Sequence, residues 1–233
     1  EKSVFGNLTA HISDAIELSG GLRHIEYENF SSIKVNGASP TPDSNEEDST
    51  TIYTGSIKYR FNDAMMVYGA VGTSWRPGVR VIGNFSANIT PREVGFMNLE
   101  PEESTSYEAG FKASFLDNRG LFNLSLYQQD FDNYVYRGNT VFYVNYPRLT
   151  PTVVVPEVAN FNFVAGLPAT VRGVEADASF QILPRWNLSG NISYADGEID
   201  NGTIACTDLN GDGIPDTNTA TPTLAQLQAA VGA

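Results

Sequence analysis

Cysteine is almost absent. Cys206 is the only one in 233 residues, so no disulfide closes within the chain. Basic residues are scarce as well: 14 Lys and Arg stand against 27 Asp and Glu, a net charge of −13. That balance excludes a nucleic-acid binder, which needs a basic face. The two histidines, His11 and His24, stand apart with no third ligand or catalytic partner. Neither a histidine metal centre nor a Ser/His/Asp hydrolase is read from them. No apolar run approaches the roughly 18 residues of a membrane-spanning helix. Charged residues are only 18% of the chain, below the roughly 25% usual in soluble domains.

Aromatic residues are plentiful, with 11 Tyr and 13 Phe, and these favour strands. They recur with period two. Thr105, Tyr107, Ala109, Phe111, Ala113 and Phe115 alternate with Ser106, Glu108, Gly110, Lys112 and Ser114. An extended strand puts each set on its own face. A turn follows at Asp117-Asn118-Arg119-Gly120, rich in residues that tolerate positive φ. The return strand sets Phe122, Leu124 and Leu126 against Asn123 and Ser125.

Three more hairpins repeat the pattern, giving about eight strands at residues 4–28, 51–76, 104–131 and 171–196. Their turns, at Ser13-Asp14, Asn62-Asp63 and Leu183–Trp186, are short. The connections at about 29–50, 77–103, 132–170 and 197–233 are long and carry most of the prolines. A soluble sandwich accounts for alternation alone, with the apolar face in its core. It rarely alternates short turns with loops beyond about 12–15 residues. Outer-membrane barrels do so, with short periplasmic turns and long extracellular loops. Their strands need about 9–11 residues to cross, which these runs supply. The fold class expected is all-β: an antiparallel transmembrane barrel segment of meandering strands. Phe111, Phe115, Leu124, Tyr59 and Phe180 should face lipid, with Glu108, Lys112, Lys58 and Glu175 toward the lumen.

The residues resemble the β-barrel domain of TonB-dependent outer-membrane receptors. Leu99-Glu100-Pro101-Glu102 followed by Ser104-Thr105-Ser106-Tyr107-Glu108-Ala109-Gly110 looks like that family's L-x-P-E-x-S-x-x-Y-E-x-G segment. Asn123 to Asp132 resembles the strand after it, and Gly173-Val174-Glu175 the G-[IV]-E strand start. Tyr68 with Ser74-Trp75-Arg76-Pro77 resembles Y…G-F-R-P, with Ser-Trp in place of Gly-Phe. The resemblance implies a bacterial outer-membrane location and energy-coupled import of a scarce solute: a metal chelate such as a siderophore, a vitamin or an oligosaccharide. It also implies a barrel of about twenty-two strands, and a plug domain that contacts the inner-membrane TonB complex. The plug is not recognisable here, so the sequence looks like an internal piece of a receptor. Lipid and lipopolysaccharide are the remaining partners implied, and no cofactor is required. A passive porin and, more remotely, an outer-membrane enzyme are the alternatives. The porin shares the strand pattern, and the enzyme lacks a visible catalytic cluster.

Two stretches carry local chemistry. The connection 132–170 holds Tyr134, Tyr136, Phe142, Tyr143 and Tyr146, which a receptor's outer loops could stack on a ligand. The simpler reading is an aromatic girdle or loop packing. The stretch Asp208 to Asp216 offers oxygens from Asp208, Asn210, Asp212 and Asp216 and the carbonyl of Ile214. Hard cations such as calcium take six to eight such oxygens. A twelfth-position Glu is missing, since Thr219 stands there, so the D-G-x-x-D repeat-type loop is the closer likeness to a structural calcium site. The alternative is a solvated Asp/Gly turn without metal. The acidic group Asp43, Glu46, Glu47 and Asp48 reads as a solvated surface, or as a divalent-ion contact to lipopolysaccharide. Cys206 adjoins the Asp-rich loop, and the sequence leaves open whether it is paired.

Overall fold

Alternation sets the strands. The computed structural model describes residues 1–32, 34, 43–80, 98–145, 148–150, 153–202, 204, 206–207 and 221–230. In chain order the strands are β1 (Lys2–His11), β2 (Ile16–Ser31), β3 (Ser44–Asn62), β4 (Met65–Arg76), β5 (Val79–Arg80) and β6 (Asn98–Leu99). There follow β7 (Glu102–Phe115), β8 (Gly120–Asn145), β9 (Arg148–Thr150), β10 (Val153–Val154), β11 (Glu157–Leu183) and β12 (Trp186–Ile199), then one helix, α1 (Leu224–Ala230). Eight strands form one sheet in the order β1-β2-β3-β4-β7-β8-β11-β12, while β5 pairs with β6 and β9 with β10. Every pairing is antiparallel. Among the described residues β1 pairs only with β2 and β12 only with β11, so this sheet does not close on itself.

Register keeps the faces apart across the whole width. One row of paired residues runs Glu17, Lys58, Tyr68, Gly110, Ser125, Glu175, Ser193. The adjoining row runs Leu18, Ile57, Gly69, Ala109, Leu126, Val174, Tyr194. Paired residues share a face and neighbours in sequence do not. The charges therefore line one face and the aliphatic and aromatic side chains the other. Phe111, Leu124 and Tyr59 fall on the apolar face, and Glu108, Lys112, Lys58 and Glu175 on the polar one, as the alternation predicts.

Among the described residues no second layer covers the apolar face. Leu8 is 76% exposed, Ile192 71% and Tyr107 51%, a continuous patch far beyond what a soluble monomer shows. Its extent matches a bilayer. Tyr53 to Phe61 on β3, Tyr107 to Phe115 on β7 and Trp186 to Tyr194 on β12 each span about nine residues, the length of a tilted crossing strand. These stretches begin and end in aromatic residues, the composition of interfacial girdles.

The strands outrun the hairpins read from sequence. β2 and β3 pair out to Ser31–Ser44, so the acidic residues Glu46, Glu47 and Asp48 lie in a strand and not in a loop. β8 and β11 pair out to Asn145–Glu157, well into the connection 132–170. The prolines there mislead: Pro156 precedes β11, and Pro168 sits inside it, at a register irregularity between Leu167 and Ala169. At such a place no ladder N–H is needed. Between those points the β-formers Tyr134-Val135-Tyr136 and Val141-Phe142-Tyr143-Val144 carry the pairing.

Apart from Ile25 on β2, the buried apolar residues among those described gather at this loop end. Leu227 is fully buried and Val141 2% exposed, where α1 packs against β8. The helix starts at a capping box: Thr223 Oγ1 accepts from Gln226 N–H at 3.3 Å, and Gln226 Oε1 accepts from Thr223 N–H at 2.8 Å.

Candidate functional site

The polar face is a hydrogen-bonded wall. Glu17 on β2, with a side chain 12% exposed, accepts from Lys58 Nζ at 2.7 Å; Arg60 lies 3.8 Å away and His11 3.6 Å. Tyr68 donates to Glu108, and Lys112 Nζ stands 5.6 Å from the centre of the Tyr68 ring. The ring lies across Gly110, whose missing Cβ leaves it room. Asn123 Nδ2 donates to Asp177 at 2.8 Å. A groove of about 330 Å³ opens on this face among Asn7, Ser19, Thr54, Ser56, Ser106 and Glu108. Charges so paired suit a water-facing wall.

Above the apolar band the outer face turns polar. Arg172 Nε donates to Gln128 Oε1 at 3.0 Å and lies 3.9 Å from Glu198. Thr170 Oγ1 lies 3.1 Å from Asp130 Oδ1 and 2.9 Å from Asp200 Oδ2. Tyr107 pairs directly with Gln128, so this row marks where β7 and β8 leave the bilayer.

β7 stays paired with β8 as far as Glu103–Asp132 and β12 with β11 as far as Ala169–Ile199; past those pairs, among the described residues, β8 and β11 run on as a two-stranded finger, and their ladder has two irregularities. Register slips between Ala169–Phe131 and Leu167–Tyr134, and again between Phe163–Gly138 and Phe161–Val141. At each, β8 carries one extra residue, which inverts its alternation. Phe131, Tyr134, Tyr136, Val141 and Tyr143 consequently share the face that carries Ser104 and Gln129 lower down. Phe131 and Tyr134 meet edge to face at 5.4 Å.

Of the aromatic residues predicted to touch a ligand, the fold thus brings Tyr134 and Tyr136 together on the inner face. Tyr143 is there too, but only 8% exposed, so it packs the loop end. Phe142 points to the opposite face, and its N–H donates to Thr207 Oγ1 at 3.1 Å. Tyr146 and the predicted calcium loop Asp208, Asn210, Asp212, Ile214 and Asp216 lie outside the described residues. Cys206 is half-buried and free. Of the residues that surround the first slip, Glu102 and Arg76 entered the sequence reading only as parts of motifs, and Asn133 was not singled out. The signal was present: Phe131 and Tyr134 stand three apart, where regular alternation requires two.

Among known proteins, a family described as "TonB dependent receptor-like, beta-barrel" has a sequence model that matches residues 1–232. Solved structures of similar fold include the ferric-catecholate import receptor Fiu from E. coli K12. It is 19% identical, with a TM-score of 0.56 over 87% of this chain and 28% of its own. The ferric yersiniabactin uptake receptor FyuA from Yersinia pestis is 16% identical, with a TM-score of 0.59 over 85% of this chain and 27% of its own. The ferripyoverdine receptor of Pseudomonas aeruginosa is 19% identical, with a TM-score of 0.54 over 86% and 23%. The chain therefore spans between 23% and 28% of the length of these three structures.

Proposed function

The chain belongs to the TonB-dependent receptor-like β-barrel family of the outer membrane, and from that premise we propose that it walls part of a receptor importing a scarce solute with energy delivered through TonB. The observation that supports this most is the division of the sheet. One face is bare and apolar over a bilayer's thickness; the other is charged and internally hydrogen-bonded. Lipid covers the first. The solute, and a plug domain encoded outside these residues, meet the second. The polar row at Gln128, Asp130 and Arg172 lies level with lipopolysaccharide head groups. Tyr134 and Tyr136 contact the solute on its way in. The solute class favoured is a metal chelate, the cargo named for the receptors of similar fold. The part played by this segment is transport and not catalysis.

The test is uptake of a radiolabelled ferric chelate by cells expressing the full-length receptor, with and without TonB. Accumulation should vanish when TonB is removed. Equal accumulation in both strains would convert the reading to a passive porin.

A further inference from the structure

The first slip in β8 is a built feature. Opposite Asp132 and Asn133, β11 has the single residue Pro168, between the pairs Ala169–Phe131 and Leu167–Tyr134. Proline leaves no N–H unsatisfied there. Asn133 takes the left-handed backbone, with φ 56°, which asparagine visits more readily than most residues. Its Nδ2 donates to Pro101 O at 3.2 Å, tying the slip to the chain entering β7. Gly166 faces it across the finger. A Cβ at 166 would stand 3.0 Å from Asn133 Cβ and from its Oδ1, so any larger residue there would press on Asn133 and require it to shift. Just beyond, the Val135 N–H lies past the end of β7 and donates instead to Glu102 Oε2 at 3.1 Å. Arg76 Nη2 holds that same oxygen at 2.6 Å.

One extra residue changes which face the following side chains occupy. In unbroken alternation Tyr134 and Tyr136 would follow Leu124 and Leu126 onto the outer face. With the slip they follow Phe131 onto the inner face, paired with Leu167 and Ala165. We infer that Asn133 is a positioning residue, whose bulge turns Tyr134 and Tyr136 inward to form, with Phe131, a contact surface for a solute with a flat aromatic face. The solute part rests on the import reading above. Tyr134 meets Phe131 at an interplanar angle of 74° and stays 41% exposed, which leaves ring surface for stacking. Arg76 is neutralised by Glu102, so this surface offers ring faces and not a free cation.

The experiment uses the full-length receptor with its native cysteines replaced, Cys206→Ser included. Nitroxide labels at Tyr136→Cys and at Ser106→Cys, on the inner face of β7, report the distance between the two sites. It is measured with Asn133 intact, deleted, changed to Val, which disfavours positive φ, and changed to Gly, which accepts it. Unlabelled counterparts with both native residues restored are titrated with two probes, a ferric tris-catecholate and a ferric tris-hydroxamate that lacks aromatic rings. Deletion and Asn133→Val should shift the distance distribution and weaken catecholate binding by roughly ten-fold, the scale of lost aromatic stacking. Hydroxamate binding should change little, and Asn133→Gly should keep both distance and affinity. An unchanged distance on deletion overturns the positioning role. A shifted distance with undiminished catecholate affinity overturns the solute role. If the unaltered receptor binds neither probe, the aromatic-chelate class and the chelate-import reading fall, while the distance arm still decides whether Asn133 sets the face.

Discussion

Leu124 lies on the outer face of β8, between Phe111 of β7 and Ala176 of β11 in one cross-strand row. It is four residues above Gly120, where β8 begins. At about 3.4 Å per residue and a tilt near 45°, that places it roughly 10 Å inside an apolar band about 25 Å tall. An arginine near the midplane of a lipid face costs about 2–4 kcal/mol, or roughly 30- to 700-fold in the folding equilibrium. Ser125, the next residue, faces the lumen between Gly110 and Glu175. An arginine there stays in water with a carboxylate directly across, and its cost should lie within about 0.5 kcal/mol of zero. Both variants are made in the full-length receptor, refolded into phospholipid vesicles and titrated with guanidinium, with tryptophan fluorescence and heat-modified gel mobility as readouts. Leu124→Arg should lower the midpoint and Ser125→Arg should not. Equal losses, or a larger loss at Ser125, would refute the assignment of the two faces.

Gly110→Val drives a side chain into the space of the Tyr68 ring and breaks its bond to Glu108. It should cost about 1–3 kcal/mol, and pairing it with Tyr68→Ala should recover part of that in a double-mutant cycle. Arg119 donates from Nε and Nη2 to Gln181 O and from Nη2 to Ile182 O, and it covers the Phe180 ring. Arg119→Ala should cost about 1 kcal/mol by the same denaturation assay, and Arg119→Lys should restore little, since an ammonium lacks the planar fork. For the calcium loop expected from sequence, Asp212→Ala in the whole receptor should abolish calcium binding seen by calorimetry; unchanged binding removes the site. Residues 1–233 expressed alone should aggregate, because among the described residues the outer edges of β1 and β12 have no strand partner. A discrete, heat-modifiable monomer in detergent would contradict that.

The membrane-crossing part was legible because two independent constraints agree there. Lipid demands apolar residues on one side of each strand, and water demands polar ones on the other, so period two is written into the residues themselves. The turns were equally plain. Leu116, Asp117 and Asn118 all take positive φ, between 54° and 65°, and the sequence supplies Asp, Asn and Gly where the chain reverses. Outside the bilayer the first constraint lapses. Both faces of the finger meet water or other loops, so its residues need not alternate, and the prolines dominate a reading by composition. The same lapse hid the strands at 44–50, where Glu47 stands directly opposite Glu28. Like charges facing one another disfavour a strand in any pairwise scale, yet solvent screening makes the cost small.

The site was less legible than the fold for a related reason. Listing Tyr134, Tyr136, Phe142, Tyr143 and Tyr146 by residue type treats them as equivalent, whereas the ladder divides them. A slip at Asn133 and another between Gly138 and Val141 put Tyr134, Tyr136 and Tyr143 on one face and Phe142 on the other. Two inversions restore the original phase, so only the residues between them, Tyr134 and Tyr136 included, sit out of step with the membrane-crossing part of β8. The finger thus keeps the face that lines the lumen aromatic where it leaves the bilayer, with Phe131, Tyr134 and Tyr136 following one another upward. That continuity runs through a left-handed backbone at a single asparagine, against which Gly166 packs closely. Neither feature belongs to the aromatic residues themselves. A change at either position is therefore expected to alter what the tyrosines face without touching them, which a survey of the tyrosines alone would miss.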